Sequence, residues 1–401
     1  MAEIHWKKAD NGDFNDPRRW SGGVIPGAGD DAILDAAGGD SQASVTQDDT
    51  VNSIQLNANS VLYISSGATF TATEGTGAGS VANEIYVSAG ATFAVGGMMD
   101  ITGEIVLGGG AGKASIATLL IQSTTTLTGG GVIDLALQAG SHIKGVTTNR
   151  TLLLNDDLIE GAGTIGGGKL TFKNGGRGSV IGNSPTPLII DTGDRVIINN
   201  GSMGSQGPGG VLTIESDLEN NGKIGAGGGP LTVDGAVTGK GSAEIDNDAT
   251  LDLLSSFSQN VYFRDRTGTL ILSQSQAYTA TVSGFSSSGG SSLDLVDVGF
   301  VSATEASFSG TQAGGVLTVS DGAHTASINL KGNYLTATFA ASSDDHGGTI
   351  VVANSRAPAT STHALVSAMA SLGAPPAHLA HTGEAWTGRQ PLLCGPRAAM
   401  A

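Results

Sequence analysis

Residues 209–253 read GGVLTIESDLENNGKIGAGGGPLTVDGAVTGKGSAEIDNDATLDL, and the stretch repeats itself. Leu212-Thr213-Ile214 returns as Leu231-Thr232-Val233, Leu218 as Val237 and Gly222 as Gly241, each nineteen positions on. Apolar and polar residues alternate within each copy, as in a strand with one face buried. A turn-bounded strand pattern recurring at about 20 residues predicts stacked coils of a β-solenoid. One coil cannot bury its own inner face, so the rest of the chain is expected to stack with this segment. The fold class expected is all-β, a parallel β-helix with an N-terminal cap and a C-terminal β-module.

Glycine bears on the same question, at 63 of 401 residues. It follows no collagen period, and 39% apolar residues is too many for a disordered glycine linker. Corners of a solenoid need backbone conformations that Cβ forbids, and glycine supplies them. Charged residues are only 14%, so Ser, Thr, Asn and Gly make up most of the polar surface, as in extracellular β-proteins. The net charge of −17, with no basic cluster, excludes nucleic acid and anionic membranes as natural partners. One cysteine, Cys394, excludes an internal disulfide. No apolar run reaches the roughly 18 residues of a membrane span.

Residues 1–40 form a distinct opening, with Trp6, Gly12-Asp13-Phe14, Asp16, Trp20, Gly23, Pro26 and Gly29-Asp30-Asp31 in order. This pattern resembles the opening of bacterial adhesin-like and autotransporter-like β-helix proteins. Phe14 stands where that pattern has its middle Trp, and Arg19 where it has Asn. Trp6, Phe14 and Trp20 are expected to plug the open end of the stack. Residues 41–253 then carry coils of uneven length. Gly67-Ala68-Thr69-Phe70 returns as Gly90-Ala91-Thr92-Phe93, twenty-three positions on, and extra residues are expected to leave as loops.

In residues 254–354 aromatic residues return, and Ser-Asp-Gly and Lys-Gly-Asn turns separate alternating strands. This stretch resembles a module near the C-terminal end of large secreted repeat proteins of α-proteobacteria. The matching residues include Gly268-Thr269-Leu270, Gly284-Phe285, Leu293-Asp294-Leu295, Asp321-Gly322, His324-Thr325, Gly332-Asn333-Tyr334, Phe339, Asp344 and Gly347-Gly348-Thr349. The resemblance implies a secreted or cell-surface protein and brings no catalytic residues. Residues 355–401 break the pattern. Within them residues 362–372, THALVSAMASL, fit a short amphipathic helix, and the remainder reads as a flexible tail. The N-terminus, MAEIHWKKADNGDFND, has no apolar signal core. Three routes stay open: the chain remains inside, a leader precedes the given sequence, or the tail 356–401 serves as an uncleaved export signal.

Candidate chemistry is sparse. Glu215 and Asp234 occupy equivalent positions one coil apart, and adjacent strands lie about 4.8 Å apart. That spacing is near the roughly 5 Å between the carboxyls of a retaining glycosidase. Yet the only aromatic residue between Phe93 and Phe257 is Phe172, which leaves no sugar-stacking platform in that part of the chain. For calcium, residues 26–34, PGAGDDAIL, approach the G-G-x-G-x-D-x-U-x nonapeptide with proline in first place, but no second copy follows to share the ion. Gly109-Gly110-Ala111-Gly112-Lys113 has lysine in place of the aspartate. Asp246-Asn247-Asp248 lacks the Gly and Glu of an EF-hand loop. Asp344-Asp345-His346 follows no ligand spacing. Gly201-Ser202-Met203-Gly204-Ser205 only approaches a nucleophile elbow. Cys394 lies in the tail, with His378 and His381 upstream. Gly161-Ala162-Gly163-Thr164-Ile165-Gly166 nearly spells a dinucleotide fingerprint but has no helix to follow.

No residue is therefore assigned as catalytic, cofactor-binding or metal-ligating; calcium is the one cofactor whose motifs come near a match. The expected role is a non-catalytic, secreted or surface-exposed, adhesin-like solenoid. Its expected partners are a cell surface, a matrix polysaccharide or further copies of itself. The alternative is a polysaccharide lyase or hydrolase on the same fold.

Overall fold

The computed structural model describes residues 1–108, 116–136, 141–146 and 151–355. The chain winds through about 11 turns of a parallel β-solenoid, and no α-helix occurs among the described residues. Among the described residues no helix is long and apolar enough to cross a membrane. The C-terminal segment 362–372 and the tail residues His378, His381 and Cys394 lie outside the described residues, as does 109–113.

Each coil has up to three strands. The coil at the repeat runs Leu212–Ile214, Leu218–Asn220 and Lys223–Gly227. The next runs Leu231–Val233, Val237–Thr238 and Ser242–Asp246. The register is the one the repeat predicts: Leu212 pairs with Leu231, Leu218 with Val237 and Phe70 with Phe93. The third strands build one long face, a 16-stranded sheet that starts at Gly12–Asp13. The first strands build a second face, and the middle strands a third.

Alternation fixes which side chains fill the bore. Leu188, Leu212, Leu231, Leu251, Leu270 and Leu293 stack on successive coils of the second face, all fully buried. Ile85, Ile105, Ile133, Ile159, Val180 and Met203 do the same behind the long face. Burying each such side chain contributes about 1.5–3 kcal/mol, and only the several inward side chains of a coil together work against the roughly 1–2 kcal/mol per residue that ordering it costs. Corners are tight: at Gly161, φ is +115° and an added Cβ would sit 1.9 Å from the Leu135 carbonyl oxygen. That demand explains the glycines of 161–166, which serve turns between strands Leu158–Gly161 and Gly163–Gly166.

Both ends are closed. At the N-terminus Trp6, Phe14 and Trp20 are buried. Their rings pack edge to face, with centroids 5.0 Å apart for Trp6–Trp20 and for Phe14–Trp20. Trp20 Nε1 donates to the Phe14 carbonyl at 2.6 Å, and Phe14 continues inward onto Phe70 at 5.2 Å. The three rings thus pack together over the first coils, where the sequence places them. Past residue 254 the parallel stack continues through Asn260–Phe263, Gly268–Leu272, Thr281–Ser283 and Ser291–Leu295. The pairing then turns antiparallel. Thr325–Lys331 closes the long face with Gly314–Ser320 and Ala306–Thr311, and Thr349–Ser355 closes the second face with Ala337–Ser343. Phe308, Tyr334 and Phe339 cluster between them, with centroids 5.6 to 5.9 Å apart.

Candidate functional site: the outer side of the long face

Outward positions on the long face form columns, because the register is unshifted from coil to coil. One column runs Tyr63, Tyr86, Val106, Asp134, Glu160, Ile181, Gly204, Gly225, Glu244 and Tyr262. At about 4.8 Å per strand this column is roughly 43 Å long. The neighbouring column includes Glu84, Glu104, Ser179, Ser202 and Lys223. Two groups stand out along this strip.

The first group is tyrosine and carboxylate. Tyr63 and Tyr86 stack face to face, with centroids 5.2 Å apart and planes at 6°. Glu84 and Glu104 pair across adjacent coils, as do Asp134 and Glu160. Their crowding is visible in their acidities. Partial burial raises the pKa of Glu104, and Asp134, Glu84 and Glu160 raise it further. Burial raises Asp134, and burial with the neighbouring Asp134 raises Glu160. Tyr86 is raised by burial, then by Tyr63 and Glu84. The tyrosine pair lies on coils far from Glu215, outside the aromatic-poor span between Phe93 and Phe257, so no sequence signal around Glu215 points to it.

The second group is a furrow of about 370 Å³ over Gly204 and Gly225, between Ile181 on one side and Glu244 on the other. Lys223 Nζ lies 2.8 Å from one Glu244 carboxylate oxygen, and an Arg264 guanidinium nitrogen lies 2.9 Å from the other. Burial works against ionising Glu244, but the hydrogen bonds from Lys223 and Arg264 outweigh it and hold its pKa below the ordinary value. Gln206 and Asp246 stand at the rim, and Tyr262 follows Glu244 on the next coil, 44% exposed.

A larger cavity, about 680 Å³, opens on the second face beside Leu120, His142, Lys144 and Lys169. Burial lowers the His142 pKa, and Lys144 adds to the shift.

The residues singled out from sequence fall elsewhere. Glu215 and Asp234 are coil equivalents at an exposed corner, where their backbone N–H groups bond Ile190 and Ile214 one coil earlier. Burial raises the Glu215 pKa, and Asp191 and Asp234 add to it. Neither residue lines the two cavities above. In residues 26–34 Asp30 accepts from the Gly27 N–H at 3.1 Å, and Asp31 accepts from Asn52 and Ser53. Asp246-Asn247-Asp248 is a left-handed turn, with φ of 54° at Asn247 and 59° at Asp248. One Asp344 carboxylate oxygen accepts from the N–H groups of His346 and Gly348 at 2.7 and 2.8 Å. Ser202 pairs with the Ser179 hydroxyl at 3.0 Å. Each motif is thus part of a turn or strand. Among the described residues no three His, Cys, Asp or Glu side chains are placed to hold a metal ion together.

Compared with protein-family models, curated proteins and solved structures, the chain has no match.

Proposed function

We propose that the protein is a non-catalytic structural β-solenoid of the cell exterior, secreted or held at the cell surface, that works in an adhesin-like way. The observation that carries this reading is the long face itself. It is a continuous sheet, roughly 60 Å from Gly12–Asp13 to Thr281–Ser283 at the strand spacing, with ordered columns of tyrosine, carboxylate and glycine facing outward. Such a surface suits an extended partner: a cell surface, a matrix polysaccharide or another copy of the chain. The low proportion of charged residues and the abundance of Ser, Thr and Gly fit life outside the cell.

The enzymatic alternative has its best footing at Asp134 and Glu160, not at Glu215 and Asp234. A hydrolase places its two carboxyls in contrasting environments, one protonated and one ionised, in a cleft. Asp134 and Glu160 instead share one environment that raises both, and neither lines the two cavities described above. The test is to incubate the protein with pectate, alginate and β-glucan, count new chain ends, and fractionate the source cells. No new ends, with protein in the medium or surface fraction, is the expected result. Turnover that disappears in Asp134→Asn or Glu160→Gln would make the protein a polysaccharide lyase or hydrolase, and a purely cytosolic location would end the exterior reading.

A further inference from the structure

The furrow contains a glycine that the backbone does not ask for. Gly225 is the central residue of strand Lys223–Gly227, with Ile224 and Ala226 buried on either side, so it faces outward. Its φ is not in the left-handed region. A Cβ added there would meet nothing closer than the Glu244 carbonyl oxygen at 3.9 Å. Gly204 differs, because a Cβ there would come within 2.3 Å of the Gly225 carbonyl oxygen. Mid-strand glycine weakens a strand, and where no bulge or bend needs it, it marks a place that something else approaches closely. What Gly225 preserves is the open floor of the furrow.

The groups around that floor define what fits. The backbone of Gly204 and Gly225 and the Ile181 side chain line its base, with no side chain rising from the two glycines. Glu244 offers acceptors, Lys223 donors and Gln206 both. Tyr262 exposes its ring two strands from Gly225, roughly 10 Å along the same column. A sugar ring has the matching chemistry, an apolar C–H face edged with hydroxyl groups. Charge narrows the class. Lys223 and Arg264 are balanced by Glu244 and Asp246, and the chain carries −17 overall, which repels polyanions.

We propose that this furrow binds a neutral polysaccharide lying along the solenoid axis, one ring seated on the Gly225 floor and a later ring over Tyr262. The inference rests on the reading of the long face as a binding face and adds the ligand class and the place. It is tested by affinity electrophoresis of the full chain through gels containing β-glucan, mannan, xylan, pectate or alginate. At least one neutral polymer should retard the protein. Gly225→Leu, whose Cβ would meet nothing closer than 3.9 Å and whose branched end would occupy the floor, and Tyr262→Ala should each weaken that retardation at least tenfold. Glu244→Gln, which keeps the size of the side chain, should weaken it too and guards against a folding defect in the glycine variant. All three should keep the circular dichroism of the parent. Retardation by a neutral polymer that Gly225→Leu and Glu244→Gln leave unchanged would overturn the furrow while sparing the binding face. Retardation by the polyuronates alone would overturn the neutral ligand. No retardation by any polymer would overturn the proposal outright, and failure to bind source cells as well would remove the binding face with it.

Discussion

Asp157 shows what a single position contributes. It is 2% exposed; one carboxylate oxygen accepts the Gly130 N–H at 2.7 Å and the other has no partner. Burial raises its pKa, the Gly130 hydrogen bond opposes this, and Asp100 and Asp156 add to it, leaving a value of about 6. A carboxyl whose folded pKa lies above its unfolded value of about 3.9 binds its proton more tightly in the native state. Its protonated form favours folding below pH 4, and that advantage is lost as pH rises through 6. Asp157→Asn keeps the oxygen that accepts from Gly130 and removes the charge. It should stabilise the protein by on the order of 2–3 kcal/mol at pH 8 and by almost nothing at pH 4, read from urea unfolding at the two values. Equal effects at both would show that charge is not the cause. Strand alternation puts Asp157 on the inner side with Asn155 and Ile159, but a carboxylate reads as a turn residue in sequence, so its burial was not legible. Gly225 was hidden in the same way among dozens of glycines that the corners do require.

The element that sets coil register at one corner is a ladder of buried amides. Asn155 donates to Asn174, Asn174 to Asn199, and Asn199 to Asn220, with N···O distances of 2.8, 2.9 and 2.8 Å. Val237–Thr238 then continues to Gly239, so the next coil has no amide, and Gln259 from the coil beyond reaches back to Asn220 at 2.7 Å. All five are buried. Asn199→Ala would leave the Asn220 side-chain oxygen and the Lys223 carbonyl, which accepts at 3.0 Å, without their donor. The expected loss is about 2–4 kcal/mol. Asn200→Ala, in the exposed Asn221–Asn200 contact at 3.3 Å, should cost no more than about 0.5 kcal/mol. Urea unfolding of both variants measures the contrast; similar small losses would mean that the ladder does not hold the register. The sequence disclosed strands and the two repeats with constant offsets, because those coils match in length. It did not disclose the ladder or the Glu84, Glu104, Asp134 and Glu160 group. Their spacings vary, since loops of different length leave between the strands, and only the register brings them together.

At the scale of the molecule, a stack of coils has the weakness that each end offers unpaired strand groups to another chain. The two ends of this one are protected differently. The C-terminal end turns its last strands antiparallel and folds Phe308, Tyr334 and Phe339 between them. The N-terminal end depends on a short segment of little regular structure. Glu3–His5 pairs with Asp31–Leu34, Gly12–Asp13 pairs with Ser41–Val45, and the rings of Trp6, Phe14 and Trp20 cover the bore above Phe70. Removing residues 1–30 takes away both partner strands and all three rings in one step. It bares two strand edges and the Phe70 ring. Two such ends are the same surface and can pair with each other about a two-fold axis, so the first product should be an end-to-end dimer, with larger aggregates at higher concentration. Trp20→Ala alone should loosen the cap, because it removes the ring that both Trp6 and Phe14 pack against, while the strand pairs stay. Light scattering behind a sizing column for mass and urea unfolding for stability, run on the intact chain, the truncated chain and Trp20→Ala, measure this. The order expected is monomer for the intact chain, dimer and larger for the truncation, and a destabilised monomer for Trp20→Ala. A truncated protein that stays monomeric with undiminished stability would show that the coils close themselves and that the aromatic segment is not what keeps this stack of coils finite.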